Sequence, residues 1–269
     1  MTNTTNLAAA AYKLAPVLTL LCAVFATEVQ AQPPTMGTTR KPVLVELFTS
    51  EGCSSCPPAD ALLQRLLAQQ PVAGAEIIAL EEHVDYWNHD GWVDPYASAQ
   101  WTQRQSEYGI FFGNGAYTPE LVIDGTSQFV GSNQQEALAE IAKAAHRAKT
   151  EVSITAEKAD ANGSRHFTLT AEKIDTKSDV AEVWLAVTED GLHSSVARGE
   201  NAGHVLNHVA TLRSLQKIGV ADANNPIAFT KDVLVKFDPR WNLENVRVSA
   251  FVQRRKSREV LAAASTKIK

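Results

Sequence analysis

The spacing of hydrophobic positions changes near residue 150. Between Pro42 and Lys149, short apolar runs alternate with stretches in which apolar residues recur every three or four positions. The runs PVLVELF, AEIIALEEHV and ELVIDG predict buried strands, because strands covered on both faces are almost continuously apolar. The stretches PADALLQRLLAQQ and QQEALAEIAKAAHRAK have the spacing of amphipathic helices. Alternating strands and helices predict an α/β domain over residues 42–149.

Residues 150–269 show a different pattern of short alternating runs. These runs are EVSITAEK, HFTLTAEK, VAEVWLAVT, FTKDVLVKF, VRVSAFVQ and VLAAAST. Turn-forming pairs such as Asn162-Gly163 and Asp238-Pro239 separate several of them. Many short strands with regular turns are typical of a β-sandwich or a small barrel. The sequence therefore predicts a second, all-β domain, sandwich-like in type, that begins near residues 149–151.

The N-terminus has the pattern of a signal peptide. Lys13 precedes the apolar run Leu14–Ala26, and Val-Gln-Ala at 29–31 has the small-x-small form that signal peptidases cut. About a dozen apolar residues are too few to span a bilayer. We expect residues 1–31 to be removed and residues 32–41 to form a linker. The mature protein is then periplasmic or secreted, without membrane attachment; an uncleaved anchor is the alternative.

Composition and charge narrow the function classes. Hydrophobic residues make up 45% and charged residues 20% of the chain, as in soluble globular proteins. The net charge of −5 gives no electrostatic reason to expect nucleic acid or anionic lipid as a partner. Cys22 lies in the predicted leader, so the mature chain keeps only Cys53 and Cys56. One close pair does not indicate a small disulfide scaffold, which uses four or more cysteines.

Cys53 and Cys56 lie where a predicted strand passes into a predicted helix. Pro57 and Pro58 fit the first helical turn, whose N–H groups have no intrahelical partner. The partial positive charge of a helix N-terminus favours a thiolate. We expect Cys53 to lie at the exposed N-cap of this helix and Cys56 to lie one helical turn further in, partly covered by the protein. Such a pair suits dithiol–disulfide exchange, with one accessible attacking thiol and one shielded resolving thiol.

Several motifs carry a resemblance to a known family. VLVELFTSEGCSSCP resembles the strand–CxxC–helix unit of the thioredoxin superfamily. With EEHVDYWNHDGWVDPYAS, TQRQSEYG, YTPELVIDG and GENAGHVLNH, nearly all of the mature chain is similar to the exported DUF1223 family, thioredoxin-like proteins with an extra C-terminal β domain. The resemblance implies the fold and a redox-type site, with exported client proteins or a redox partner, but it implies no particular substrate and no cofactor.

The resemblance also implies supporting residues around the cysteines. Thr118-Pro119 matches the cis-proline that faces the CxxC motif in the superfamily. Glu46 lies about where thioredoxins keep a buried acid, which suggests a proton acceptor for Cys56. Alternatively, the Glu46 side chain is solvated or pairs with Lys41 or an arginine. Two serines lie between the cysteines, and this dipeptide does not indicate whether the protein oxidises or reduces its clients.

An aromatic-rich insertion over about 84–110 follows the second predicted strand. Parallel strands share one carboxyl end, so this segment should emerge beside Cys53. We expect it to form a substrate-binding rim, or alternatively a self-packed lid or interface plug. The expected rim residues are Glu51, His83, Asp85, Tyr86 and Trp87.

A histidine near the cysteines would indicate a different function, metal binding. Cys53, Cys56 and His83 are a soft ligand set suited to Cu(I), so copper binding or delivery without enzymatic activity is an alternative to exchange. His204 and His208 are four residues apart; we interpret them as a loop histidine and a hydrogen-bonded core histidine rather than as a helical pair. A third class is a redox-inactive module in which the disulfide is permanent.

Overall fold

The computed structural model describes residues 1–3, 40–159, 163–172, 174, 179–221 and 229–268. Residues 4–31 of the predicted signal peptide and most of the predicted linker lie outside the described residues. Within the described part of the chain, no helix is long and apolar enough to cross a membrane. The described residues from 40 to 268 form one compact unit.

The described chain begins as an alternation of strands and helices and continues almost entirely as strands. The first part comprises β1 (Lys41–Thr49), α1 (Pro57–Gln69), β2 (Ala75–His83), α2 (Ala99–Phe112), β3 (Glu120–Ile123), β4 (Ser127–Val130) and α3 (Gln134–Ala145). The second part comprises β5 (Val152–Ala159), β6 (Arg165–Ala171), β7 (Ala181–Glu189), β8 (Leu192–Ser195), β9 (Val205–His208), β10 (Thr211–Ala221), β11 (Phe229–Val235), β12 (Val246–Arg254) and β13 (Val260–Lys267), with a short 3-10 helix at Leu243–Asn245.

A large central sheet organises the molecule. Its eight strands follow the order β13-β12-β7-β10-β2-β1-β3-β4. β1 is parallel to β2 and antiparallel to β3. Alternate residues of β1 point to opposite faces: Val45 and Leu47 pack with α1 and α3, whereas Leu44 and Phe48 pack with Trp101 and Tyr108 of α2. The predicted α/β architecture of the first segment is confirmed at this level.

The second segment contains all six predicted strands, but a self-contained β-sandwich is not confirmed. β7, β10, β12 and β13 extend the central sheet, while β11, β6 and β5 form a separate three-stranded sheet. Phe167 and Leu169 of β6 share a hydrophobic core with Val183 of β7 and Val248 of β12. The two predicted segments therefore contribute strands to one sheet, and a domain boundary near residues 149–151 stays a prediction.

Strand β10 joins the two parts of the central sheet, and the sequence pattern did not predict it. Leu212, Leu215 and Ile218 recur every third residue, which is not the alternation of a regular strand. Two register shifts against β7, at Leu212/Ser214 and Lys217/Gly219, account for this spacing. Each β-bulge inserts one residue and so changes which face the following side chains occupy. At its start, β10 pairs with β2 in parallel through Thr211 and Glu81.

Candidate functional site: the Cys53–Cys56 disulfide

Cys53 and Cys56 form a disulfide in the turn between β1 and α1. Cys56 is the N-cap of α1, and its carbonyl accepts hydrogen bonds from the N–H groups of Ala59 (2.8 Å) and Asp60 (3.1 Å). Both cysteines are buried, with 1% of Cys53 and 0% of Cys56 exposed. The predicted exposed position of Cys53 at the cap is therefore wrong. The two intervening serines are the exposed residues of the turn.

A turn from the second segment holds the CxxC loop. The side-chain amide of Asn201 donates to the carbonyl oxygens of Cys53 (3.0 Å) and Glu51 (2.9 Å). The carboxylate of Glu200 accepts a hydrogen bond from the N–H of Ser54 at 3.0 Å. Asn201 is itself buried. These contacts, made by residues about 150 positions away in sequence, attach the loop that contains the buried Cys53 to the second segment.

Trp87 links the CxxC loop to the predicted cis-proline. The Thr118-Pro119 bond is cis, as predicted. It immediately precedes β3, which is antiparallel to β1 and therefore brings Thr118 near the end of β1. The indole N–H of Trp87 donates to the Thr118 hydroxyl at 2.8 Å. A Cβ atom at Gly52 would lie only 3.0 Å from the Cβ of Trp87, so the indole-bearing residue packs directly against the CxxC loop.

Glu46 does not lie beside the disulfide. Its carboxylate accepts hydrogen bonds from the Arg104 guanidinium (2.5 Å) and the Tyr108 hydroxyl (2.7 Å), both on α2. Since α1 packs on the opposite face of β1, Glu46 points away from Cys56. The alternative prediction, pairing with an arginine, is confirmed. Burial and the charge of Glu46 hold the pKa of neighbouring Glu82 well above its ordinary value, although Arg104 opposes this shift.

Asp60 is a buried acid on the α1 side of the sheet. It follows Cys56 by four residues, so the two side chains share one face of the first helical turn. The hydroxyl of Thr49 donates to its carboxylate at 2.6 Å. Burial, aided by the negative charge of Glu81, raises the pKa of Asp60 to about 7. The role of Asp60 was not predictable from the sequence, because an aspartate in a first helical turn normally contacts solvent and the helix N-terminus.

His83 is fully buried, so its predicted place at an exposed rim is wrong. It is the last residue of β2, and its Nδ1 lies 2.7 Å from the carboxylate of Asp94. The same oxygen of Asp94 accepts a hydrogen bond from the backbone N–H of Glu51 at 2.8 Å. Burial alone would lower the pKa of His83, but Asp94 and Glu81 together outweigh it, and the pKa lies well above its ordinary value.

His208 connects β9 to the CxxC loop. Its Nε2 lies 3.0 Å from Glu51, whose second carboxylate oxygen accepts a hydrogen bond from Trp92 at 2.7 Å. Its Nδ1 lies 3.4 Å from Glu81. Burial lowers the pKa of His208, but Glu81 and Glu51 more than compensate and raise it to about 9. His204 is exposed and precedes the strand, so the interpretation of a loop histidine and a hydrogen-bonded core histidine is confirmed.

The predicted rim is only partly at the surface. Glu51 is fully buried beneath the loop, so it does not belong to an exposed rim. Asp85, Tyr86 and Trp87 are half-buried. Asp85 accepts a hydrogen bond from the Thr102 hydroxyl of α2 at 2.6 Å, as expected for an insertion that packs on its own chain. Substrate binding by the half-buried residues stays a prediction.

The copper ligand set also stays a prediction. Cys53 and Cys56 are bonded to each other, so neither provides a thiolate in this state. The ring nitrogens of His83 face Asp94 and Glu81. Binding of Cu(I) by the three residues would require the reduced protein and a different environment for His83.

The strand order, the CxxC disulfide at the start of α1 and the adjacent cis-proline define a thioredoxin-like protein. A thioredoxin from Methanocaldococcus jannaschii is 31% identical over 101 residues, which cover 38% of this chain and 93% of that protein. The sequence profile of the family described as "Protein of unknown function (DUF1223)" matches residues 44–253. The chain belongs to the DUF1223 family.

Two solved structures share the fold over most of the chain. Protein AGR_C_4864 from Agrobacterium tumefaciens has a TM-score of 0.62 at 23% identity, covering 84% of this chain and 94% of that chain. HBP35 of Porphyromonas gingivalis has a TM-score of 0.60 at 14% identity, covering 86% of this chain and 76% of that chain. At these identities the similarity concerns the fold alone.

Proposed function

We propose that this protein exchanges disulfides with exported client proteins through Cys53 and Cys56. The observation that carries the proposal is the disulfide at the N-terminus of α1, beside Thr118-Pro119, in a thioredoxin-like fold. Location outside the cytoplasm is part of the proposal. It is supported by the signal-like sequence of residues 1–31 and by the persistence of disulfides in oxidising compartments. Retention of residues 1–31 in the mature protein, found by mass mapping, would contradict export by signal cleavage.

The oxidised state supports the following exchange. A client thiolate attacks the Cys53 sulfur, the bond between the two sulfurs breaks, and its electron pair remains on Cys56 as a thiolate. A second client thiolate then attacks the client sulfur of the mixed disulfide and releases Cys53 as a thiolate. The client gains a disulfide, and this protein gains two electrons. The reverse sequence reduces a client disulfide, and the reduction potential decides between the directions.

Cys53 is the proposed attacking sulfur, although both cysteines are buried. Cys53 belongs to the loop and is followed by two exposed serines, and its sulfur lies 3.4 Å from the hydroxyl of Ser55. Cys56 is fixed at the helix N-cap by the hydrogen bonds to its carbonyl. Opening of the loop would therefore expose Cys53 before Cys56.

Asp60 is the proposed proton acceptor for Cys56. Its place one helical turn after Cys56 supports this role, and Glu46 is excluded from it by its position on the opposite face of the sheet. A pKa of about 7 leaves roughly half of the Asp60 side chains as carboxylate near neutral pH, able to take the thiol proton as Cys56 attacks a mixed disulfide.

Single cysteine substitutions test the exchange. Cys56→Ser protein should accumulate a mixed disulfide with a client that carries a disulfide, because the Cys53 thiolate attacks one client sulfur, the other client sulfur leaves as a thiolate, and no resolving thiol is present. Cys53→Ser protein should form no such adduct, because its remaining thiol, Cys56, is shielded. Mass spectrometry of alkylated wild-type protein equilibrated across a series of glutathione ratios gives the reduction potential. A disulfide that stays intact at every ratio and forms no client adduct would identify a permanent structural disulfide and refute the proposal.

A further inference from the structure

Glu81, His83 and His208 form a buried group of potential metal ligands below the CxxC loop. Glu81 and His83 lie at the end of β2, and His208 lies at the end of β9. Their ligand atoms all lie within 4.8 Å of one another. Each of the three side chains is almost completely buried. The group contains no sulfur and is therefore distinct from the proposed exchange site.

The distances within the group fit a small tetrahedral ion. His83 Nε2 lies 3.4 Å from one carboxylate oxygen of Glu81, and His208 Nδ1 lies 3.4 Å from the other. Zn²⁺ binds nitrogen and oxygen at about 2.0–2.2 Å, so two ligand atoms of a tetrahedral zinc site lie about 3.3 Å apart. A small rotation of the side chains would bring the three ligands around one ion.

His83 Nε2 is buried, and no described residue offers it a hydrogen bond of good geometry. Its contact with Glu81 is 3.4 Å long, beyond the range of about 2.7–3.2 Å that is usual for N–H···O bonds. A buried polar atom without a partner costs free energy, and native structures rarely contain one without a reason. A bound ion at this position would give the atom a partner.

The outer partners of both histidines are those of metal-bound imidazoles. The Nδ1 atom of His83 lies 2.7 Å from Asp94, and the Nε2 atom of His208 lies 3.0 Å from Glu51. Ligating histidines usually donate their second ring N–H to a carboxylate, which fixes the ring orientation. The second ring nitrogen, Nε2 of His83 and Nδ1 of His208, faces Glu81 in each case and is the atom available to bind an ion.

The charge of the group also requires a positive partner. Glu51, Glu81 and Asp94 bring three buried carboxylates together around two imidazoles. Buried charges of one sign are strongly unfavourable unless they are compensated. Protons on both imidazoles provide two positive charges, and one divalent cation with neutral imidazoles provides the same two charges.

We propose that Glu81, His83 and His208 bind one Zn²⁺ ion. Imidazole and carboxylate ligands in this number are a known donor set for zinc. The ion would link β2, β9 and, through Glu51, the loop that carries the disulfide. It would act as a structural support of the loop and take no part in electron transfer.

Metal titration of the oxidised, full-length protein tests the site, because the intact disulfide prevents zinc binding by thiolates. The protein is unfolded with a chelator, refolded with Zn²⁺ or Co²⁺, and analysed for bound metal by mass spectrometry. We expect one ion per chain and, for Co²⁺, a visible spectrum of tetrahedral nitrogen and oxygen ligands without thiolate charge-transfer bands. His83→Gln and His208→Asn should weaken affinity more than about 100-fold, since loss of an outer partner alone costs 10–100-fold.

His204→Asn is the matched control, because His204 is exposed and lies in the same segment as His208. It should bind metal as the wild type does. Circular dichroism establishes which variants fold; if a ligand variant does not fold, the wild-type stoichiometry and Co²⁺ spectrum still decide the question. A folded wild type that binds no stoichiometric metal would overturn the proposal and identify the group as protonated imidazoles among carboxylates. Equal binding by the folded ligand variants would also overturn it.

Discussion

Replacing Asn201 with alanine tests whether client access to the disulfide depends on opening of the turn that holds the CxxC loop. The Asn201 amide donates to two carbonyl oxygens, of Glu51 at 2.9 Å and of Cys53 at 3.0 Å. Only 1% of Cys53 is exposed in the closed structure, so a reductant cannot reach its sulfur without a local movement. Asn201→Ala removes the donors without adding bulk.

The two hydrogen bonds set the expected magnitude. A neutral hydrogen bond contributes about 0.5–1.5 kcal/mol net, so the pair contributes about 1–3 kcal/mol to the closed state. Because about 1.4 kcal/mol corresponds to a factor of ten, the open population should rise roughly 5- to 150-fold. When opening and closing are fast compared with attack, the rate of reduction rises by the same factor.

The assay follows reduction of the purified, oxidised protein by excess dithiothreitol. Samples are quenched with an alkylating reagent, and the modified fraction is measured by mass spectrometry. Asn207→Ala is the matched control, since Asn207 is exposed on β9, and it should leave the rate unchanged. Low concentrations of urea should hardly affect the wild-type rate if the opening is local, because little surface becomes exposed.

An unchanged rate in folded Asn201→Ala protein would refute this reasoning. It would show that the sulfurs are reached by another path, for example by displacement of Trp87, which packs against Gly52. A rate increase equal to the measured loss of global stability and sensitive to urea would mean that reduction requires unfolding of the whole domain.

Four further substitutions, in three comparisons, test the buried charges. Asp60→Asn should slow the attack of Cys56 on a mixed disulfide between Cys53 and a thiol-bearing dye, and Glu46→Gln should not. The measurement is the rate at which the dye is released. Equal effects of both changes would contradict the assignment of Asp60 as the proton acceptor. Arg104→Met should reduce the free energy of unfolding by about 3–5 kcal/mol in chemical denaturation, because it removes the charge partner of the buried Glu46 side chain, which Arg104 contacts at 2.5 Å. A loss below about 1 kcal/mol would show that this ion pair contributes little to stability. Burial raises the pKa of Glu120 from 4.5 to about 7, so the stability that the group contributes is present below pH 4.5 and is lost as the pH rises towards 7. The stability of Glu120→Gln protein relative to wild type should therefore increase between pH 4 and pH 8, by up to about 3 kcal/mol. A difference in stability that does not change with pH would refute the pKa shift.

The core of the first segment was predictable because its hydrophobic pattern is regular. β1 is an almost uninterrupted apolar run, and α1 has apolar residues at helical spacing. Helix α2 was not predicted because its buried face is polar. Trp101, Arg104, Gln105 and Tyr108 follow the spacing of a helix face, but two of the four are polar residues that pattern analysis places at the surface. Their burial depends on partners from other elements, such as Glu46 for Arg104.

The chemistry of the site was predictable only where it is local in sequence. The CxxC motif, the following helix and the cis-proline all depend on short motifs. The loop that carries the buried Cys53 is hydrogen-bonded to Asn201, which lies 148 residues further along the chain and could not be foreseen from the local motif. Glu46 illustrates a different error: the resemblance to thioredoxins suggested a role for it, but the alternation of side chains along β1 places it on the opposite face from α1.

The C-terminal strands form part of the support of the disulfide. Glu51, next to the CxxC loop, contacts His208 from 157 residues away, and Glu81 accepts a hydrogen bond from Thr211 at 2.9 Å. Without β10, the edge of β2 would lose its neighbour in the sheet, and an unpaired edge favours association with other chains. Without His208, Glu51 and Glu81 would be left as buried carboxylates with less positive charge nearby, which is a large cost. The residues after 150 therefore stabilise the loop that carries the cysteines, whatever further partners they bind.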